Sequence, residues 1–214
     1  MRVRQHVNPT RTFFSTFRGV RPTFEPGRPI ELEVGCADAQ FLFERAAADP
    51  DRHYVGLEIR DDLVDWVNRK AAQLGAPVVA VFGHAQRHLL EIFEPASVDR
   101  IYVNFPDPWF KRRHVERRMI DDDLARGLAA VARPGADVFM QTDVWELALA
   151  GLEAFERRDE WFANQASPWS FWRAGNPYGV RSWREQNAEE TGLPIWRMRF
   201  RRTDLPVGDA DPVG

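Results

Sequence analysis

Ile30-Glu-Leu-Glu-Val-Gly-Cys-Ala-Asp-Ala-Gln40 is the stretch from which the fold is read. Ile30 to Gly35 is a short apolar run closed by glycine, the pattern of a buried strand feeding a tight loop. A helical pattern follows over Phe41 to Ala48, and a second strand over His53 to Ile59 carries Glu58 near its end. Asp61 to Leu74 reads as an amphipathic helix with Leu63, Val64, Trp66 and Val67 on its stripe, closed by Gly75-Ala-Pro77. A third strand (Pro77 to Phe82), a short helix (Ala85 to Phe93), a fourth strand (Val98 to Asn104), a helix (Asp121 to Val131), a fifth strand (Asp137 to Thr142) and a helix (Val144 to Arg157) complete the alternation. Strand and helix in strict alternation predict a doubly wound α/β fold, a mostly parallel sheet covered on both faces.

The flanks read differently. Residues 1–29 are rich in Arg, Thr, Phe and Pro without period and are expected to form an extended arm. Trp161 to Ala166 and Pro194 to Arg202 read as two closing strands around an irregular Gly/Pro/Trp-rich insert. Such a pair predicts an antiparallel edge and a seven-stranded, Rossmann-like methyltransferase sheet. The domain is thus expected over 30–205, with Pro206 to Gly214 a disordered tail.

Composition sets bounds. A chain of 214 residues, 44% hydrophobic and 29% charged, suits one large domain with a sizeable core. The net charge of −3 advertises no global affinity for nucleic acid, so such binding must come from local patches. The single cysteine, Cys36, excludes an internal disulfide and a cysteine-rich metal site. His84 and His88 lie four apart, but no further ligands accompany them, and no metal site is expected. Neither a signal core nor a membrane-length apolar run appears, and the cytoplasm is the expected address. Of the tryptophans, most are expected in the core or as platforms, with one or two free to stack a base.

Ligands in such folds sit at the C-terminal strand ends. Glu58, ending the second strand, is placed to accept from a ribose diol, which serves either NAD or S-adenosyl-L-methionine. The phosphate fingerprint GxGxxG is missing: Gly35 is present, but Ala37 and Ala39 stand where glycines would let a pyrophosphate approach. That disfavours NAD. Glu33 is a carboxylate inside an apolar strand and needs a partner. It sits either near a sulfonium or amine of the cofactor, or in a salt bridge to an arginine such as Arg60.

The fourth strand ends in Asn104-Phe-Pro-Asp-Pro-Trp109, and Lys111, Arg112, Arg113, Arg117 and Arg118 follow. Pro106 and Pro108 stiffen a turn that presents Asp107. A fixed acidic and aromatic tip beside a basic stretch suits chemistry on a base with a phosphate backbone held alongside. The alternative for some of these arginines is pairing with Asp121 to Asp123 on a helix surface.

With these residues placed, the chain resembles the bacterial tRNA (guanine-N7-)-methyltransferase family over nearly its whole length. Val3-Arg-Gln-His-Val-Asn-Pro9 looks like the family's arm, Glu33-Val-Gly35 its first-strand motif, and Asn104 to Arg118 its central signature. Gln141-Thr-Asp143 matches the fifth-strand end; Ser182-Trp-Arg-Glu185 with Gly192-Leu-Pro-Ile-Trp196 matches the substrate motif. The resemblance implies S-adenosyl-L-methionine held by Glu33, Gly35, Glu58, His84 and Asp107, with Asp107 also the central catalytic carboxylate. It implies tRNA contacts from Lys111, Asp143, Ser182 and Glu185. The chain departs from the family pattern in the Cys36-Ala-Asp-Ala39 loop, in His84 at the third-strand end, and in Ser182 for threonine. A monomer or homodimer without metal is expected. The rival readings are an amine methyltransferase, a non-catalytic RNA-binding module and an NAD oxidoreductase.

Overall fold

The computed structural model describes residues 16–107 and 120–207. Lys111, the other cations up to Arg118, residues 1–15 of the arm and 208–214 of the tail lie outside the described residues. The elements are β1 (Ile30–Val34), α1 (Gln40–Ala48), β2 (His53–Glu58), α2 (Asp61–Leu74), β3 (Val78–Phe82), α3 (Ala85–Ile92), β4 (Val98–Asn104), α4 (Asp122–Val131), β5 (Ala132–Thr142), α5 (Trp145–Glu156), β6 (Phe162–Asn164), α6 (Trp183–Glu190) and β7 (Trp196–Arg202). The sheet has seven strands in the order β3-β2-β1-β4-β5-β7-β6. Neighbours from β3 to β5 are parallel, whereas β7 runs antiparallel to both β5 and β6. The chain reverses its winding between β1 and β4, and that is where a crevice opens in such sheets.

Local chemistry sets the helix ends. Asp121 caps α4 by accepting from the Leu124 N–H at 2.9 Å, and Asp122 and Asp123 in the first turn favour the helix dipole. Asp121 also accepts from Gln86, and Asp122 from Arg158, so these acids have partners within the described residues. Gly75 closes α2 at φ 61°, a left-handed conformation that glycine adopts without steric cost.

The two sheet faces differ in chemistry. Ile30, Leu32 and Val34 of β1 pack with Val55, Ile101, Val138 and Met198 under α3, α4 and α5 in an almost wholly apolar core. On the opposite face α1 and α2 cover one side through Phe41, Leu42, Val64 and Val67. The other side carries Tyr178 and Val180 from the segment after β6, in place of a helix. Tyr178 meets Tyr102 and Phe139 edge-on, with ring centroids 4.9 and 5.2 Å apart. Its hydroxyl donates to Asp137 at 2.8 Å.

Three sequence expectations are corrected. β5 begins at Ala132 rather than Asp137, with a register shift against β4 that accommodates Arg133-Pro-Gly135. The insert contains a helix, α6, capped by Ser182. Among the described tryptophans Trp161 is buried, whereas Trp66, Trp145, Trp169 and Trp183 are exposed. Trp66 leaves the α2 stripe, and the Lys70 ammonium lies over its ring at 4.9 Å.

Candidate active site

Two carboxylates on β1, two residues apart on the same face, separate structure from site. Glu31 is fully buried and fully partnered. It accepts from Arg45 Nε and Nη2 at 3.2 and 3.0 Å, from Arg100 Nη1 at 2.7 Å and from the Tyr102 hydroxyl at 2.8 Å. Glu33 is equally buried but half-partnered. Its Oε1 accepts from Asn104 Nδ2 at 2.8 Å, while Oε2 has no hydrogen-bond partner among the described residues. Burial, against the help of the Asn104 hydrogen bond, pushes the Glu33 carboxyl from 4.5 up to about 8; Asp38 and Glu58 add to the rise. The alternative salt bridge to Arg60 is not formed, because Arg60 turns to Glu58 instead. An orphaned buried oxygen at a strand end costs free energy unless a ligand uses it.

The shift makes a measurable statement. Folded Glu33 keeps its proton over a pH range in which the unfolded chain has lost it. The associated stability is full below about pH 4.5 and is lost as pH rises through about 8. The ligand-free protein is therefore expected to lose stability between pH 5 and 8, by roughly 3–5 kcal/mol at most. Glu33→Gln removes that slope. Parallel pH dependences of the melting temperature in the two proteins would show that Glu33 is ionised throughout.

The loop after β1 closes against β2. Gly35 and Cys36 both donate to the Leu57 carbonyl, and the Ala37 N–H donates to Glu58 Oε2 at 3.0 Å. Ala37 and Ala39 occupy the left-handed region at φ 51° and 53°, so alanine keeps the conformations in which glycine would be easier. Glu58 is 3% exposed and takes both Arg60 Nε and Nη2 at 2.9 Å, besides the Ile59 and Arg60 N–H groups. Arg60 in turn lies close enough to Asp107 for that carboxylate to raise its pKa, after the larger effect of Glu58. The Cys36 thiol is buried and its pKa raised well above 9, chiefly by burial, which leaves it a packing group. Its Sγ sits where a Cβ on Gly56 would be, 2.3 Å away, so Gly56 is required for this packing.

His84 stands at the third-strand end as the residue before α3, and its N–H donates to His88 Nδ1 at 3.0 Å. Burial, with Arg87 and His88, lowers its imidazole to about 4, so it is neutral at physiological pH. Among the described residues no group of three or more His, Cys, Asp or Glu is placed to hold a metal.

Asp107 projects from a strained turn. Phe105, the residue after β4, has φ 48°, rare for a bulky side chain, and its N–H is tied to the Gln141 carbonyl at 2.8 Å. Pro106 then fixes the approach to Asp107, which is exposed at the crevice.

A hydrogen-bonded chain runs from this crevice across the sheet. Asn104 links Glu33 to Gln141, whose Nε2 donates to Asn104 Oδ1 at 3.0 Å and to Glu185 Oε2 at 2.8 Å. Glu185 also accepts from Asn176 at 2.8 Å and from Arg197 Nη2 at 2.8 Å. Glu185 is thus a fully buried hub, and Ser182 caps α6 through the Glu185 N–H at 3.2 Å. Asp143, just past β5, pairs with Arg184 in the first turn of α6. Of the residues expected at the site, Glu33, Gly35, Glu58, His84 and Asp107 lie at or just past the ends of β1 to β4; Asp143, Ser182 and Glu185 form a second group at β5 and α6. Sequence reasoning placed Asn104 and Gln141 in motifs without giving them a linking role, and missed Asn176 and Arg197. The start of α6 was findable, since Ser182-x-x-Glu185 is a capping-box pattern.

The donor and acceptor set fits S-adenosylmethionine: an open buried acceptor at Glu33 for an ammonium, a carboxylate at Glu58 for a diol, and no glycine cradle for a pyrophosphate. A seven-stranded sheet with an antiparallel closing strand and this site defines the class of Rossmann-like methyltransferases. Solved structures agree on the fold: the 16S rRNA methyltransferase KamB superposes with a TM-score of 0.59 at 17% identity, over 82% of this chain and 88% of that one. The family model described as "Putative methyltransferase" matches residues 27–198. A tRNA (guanine-N(7)-)-methyltransferase of Synechococcus sp. (strain WH7803) is 38% identical, over 99% of this chain and 92% of that protein. The enzyme of the same name from Thermosynechococcus vestitus is 35% identical, over 94% of this chain and 95% of that one. The chain belongs to the tRNA (guanine-N7-)-methyltransferase family.

Proposed function

We propose that this protein transfers a methyl group from S-adenosyl-L-methionine to N7 of a guanine in tRNA. The observation that carries the reading is the pair of β1 carboxylates, one satisfied by protein and one with a buried oxygen left without a hydrogen-bond partner among the described residues. Family membership supplies the substrate. S-adenosylmethionine, when bound, supplies a methyl group on a cationic sulfur.

The protein's task is then positioning. Guanine N7 carries a free lone pair at neutral pH and needs no strong base. Holding it in line is worth up to about 7–11 kcal/mol. Asp107 accepts from the guanine N1–H and amino group and offsets positive charge developing on the purine. Glu33 receives the cofactor ammonium and Glu58 its ribose hydroxyls, displacing Arg60 from part of the carboxylate. Neutral His84 lies at the same end of the sheet for contact with the cofactor. Gly35 turns the backbone beneath it. Asp143 and Arg184 face the RNA as a pair; Ser182 and Glu185 hold the helix that carries Arg184. Lys111 and the arginines to Arg118 follow phosphates, so tRNA binding should weaken as salt rises. The target base leaves its stack at a cost of a few kcal/mol. The cytoplasm is the compartment this substrate suits.

The experiment is mass spectrometry of tRNA nucleosides after incubation with labelled cofactor. Label on 7-methylguanosine is expected; label on an exocyclic amine, or none, would overturn the reading. Glu58→Ala is expected to weaken S-adenosylmethionine by about 10- to 150-fold, the worth of one charge-assisted bidentate contact of roughly 1.5–3 kcal/mol. tRNA affinity should change far less. Calorimetry that returns the wild-type cofactor affinity would leave Glu58 a structural acceptor for Ala37, Ile59 and Arg60.

A further inference from the structure

Beside the site, at the edge of β7, lies an open cavity of about 520 Å³ lined by Trp145, Phe171, Trp172, Arg173, Ile195, Trp196 and Arg197. Its wall is aromatic. Trp145 is 44% exposed, with its ring centroid 5.2 Å from Trp196 and 5.8 Å from Phe171. Trp172 is fixed by its Nε1–H to the Gly175 carbonyl at 2.8 Å and by the Arg199 guanidinium 5.1 Å over its ring. Phe171, Trp172 and Trp196 are half-buried around the exposed Trp145, and a cluster of rings left partly open to solvent marks an interaction site.

Charge narrows the occupant. Among the described residues no carboxylate lines the cavity. Arg197 is spent on Glu185, Glu189 and Gln141. Arg173 is exposed and, among the described residues, makes no hydrogen bond or ion pair. Flat π faces beside one uncommitted cation match a base with its phosphate, and they match an acidic peptide poorly because a peptide lacks the flat face. Position narrows it further. Trp196 pairs with Thr142, the residue before Asp143. The cleft is two strands from β4, about 10 Å by ordinary sheet spacing. It is therefore beside the target guanine's crevice and not part of it.

We infer that this cleft stacks an unpaired nucleobase of the RNA next to the target guanine, with Arg173 on its phosphate. The inference rests on the tRNA reading above and adds a second base-binding site to it. Selectivity through nucleotides flanking a flipped base is a general device of enzymes that modify bases.

The test uses the full-length protein and an unmodified tRNA transcript. Trp145→Leu keeps an apolar side chain on α5 but removes the π face. It should weaken tRNA binding about 5- to 150-fold, the range for loss of one stacked base. S-adenosylmethionine affinity and melting temperature should be retained. Arg173→Ser, at an exposed position outside the core, should make the log–log salt dependence of tRNA binding shallower by about 0.7–0.9. If wild type methylates guanine N7 while both variants bind tRNA unchanged, the stacking site is overturned and the substrate reading stands. A lowered melting temperature in Trp145→Leu with unchanged tRNA affinity would mean that the protein's own chain uses the cleft, and would also overturn it. A wild-type protein that leaves tRNA unmethylated and unbound overturns both.

Discussion

Asp107→Asn should lower single-turnover methylation of tRNA by roughly 10²- to 10³-fold, the scale for losing one preorganised electrostatic partner of a transition state. Asparagine keeps the size and one acceptor, but it removes the charge that offsets the developing purine cation. The turn that presents position 107 rests on the left-handed Phe105, on the Phe105 N–H to the Gln141 carbonyl, and on Pro106. Asp107 is exposed, so the variant should fold with wild-type circular dichroism and a near-wild-type melting temperature. Arg60 loses one of the carboxylates near it but keeps Glu58, so cofactor affinity should change modestly. A folded Asp107→Asn protein with wild-type single-turnover rate would take Asp107 out of the mechanism.

Glu185→Ala is expected to have the largest effect on stability. Its carboxylate is fully buried and accepts from Gln141, Asn176 and Arg197. Truncation leaves the Arg197 guanidinium, 14% exposed, without its buried partner. Removing one member of a buried pair costs about 3–5 kcal/mol. In a chain of this size that lowers the melting temperature by roughly 6–20 °C. The loss should also reach the cofactor end, because Gln141 passes the constraint to Asn104 and so to Glu33. A double-mutant cycle with Arg197→Met measures the coupling directly. Additive effects would mean that Glu185 and Arg197 act separately. A Glu185→Ala protein melting within about 2 °C of wild type would show that contact with RNA, not the hub, is this carboxylate's role.

Much of the fold and part of the site was legible. Apolar runs at β1 to β5, with amphipathic segments between them, dictate the parallel core, because each run can be buried on both faces only in a covered sheet. Glu33 stood out as a carboxylate inside such a run, and the prolines around Asp107 announced a rigid turn. Less legible was α6: its low apolar content and mixed Trp/Arg/Glu/Gln pattern hid a helix whose start is marked by the Ser182 cap. The β5 start was hidden because Pro134 and Gly135, residues poor in strand propensity, are absorbed in a register shift. Which tryptophans are buried was not legible, and Trp66 was placed on the wrong side of α2, because a large apolar side chain has the same sequence signal in a core and on a platform.

Residue type, spacing and periodicity alone determined the order of elements from β1 to α5, the loop that carries Asp107, the missing phosphate-binding glycines and the absence of an internal disulfide. These are local properties, set within a few residues by sterics and burial. Only the tertiary structure decided which carboxylate is a building block and which is open. Glu31 and Glu33 are the same residue type two positions apart on one strand, and their difference comes from partners far along the chain: Arg100, Tyr102 and Asn104 lie 69 to 71 residues away. The same holds for Glu185, whose partner Gln141 is 44 residues distant. A buried charge is stable only with its full set of hydrogen bonds, and that set is completed across strands and a docked segment, where no local pattern records it.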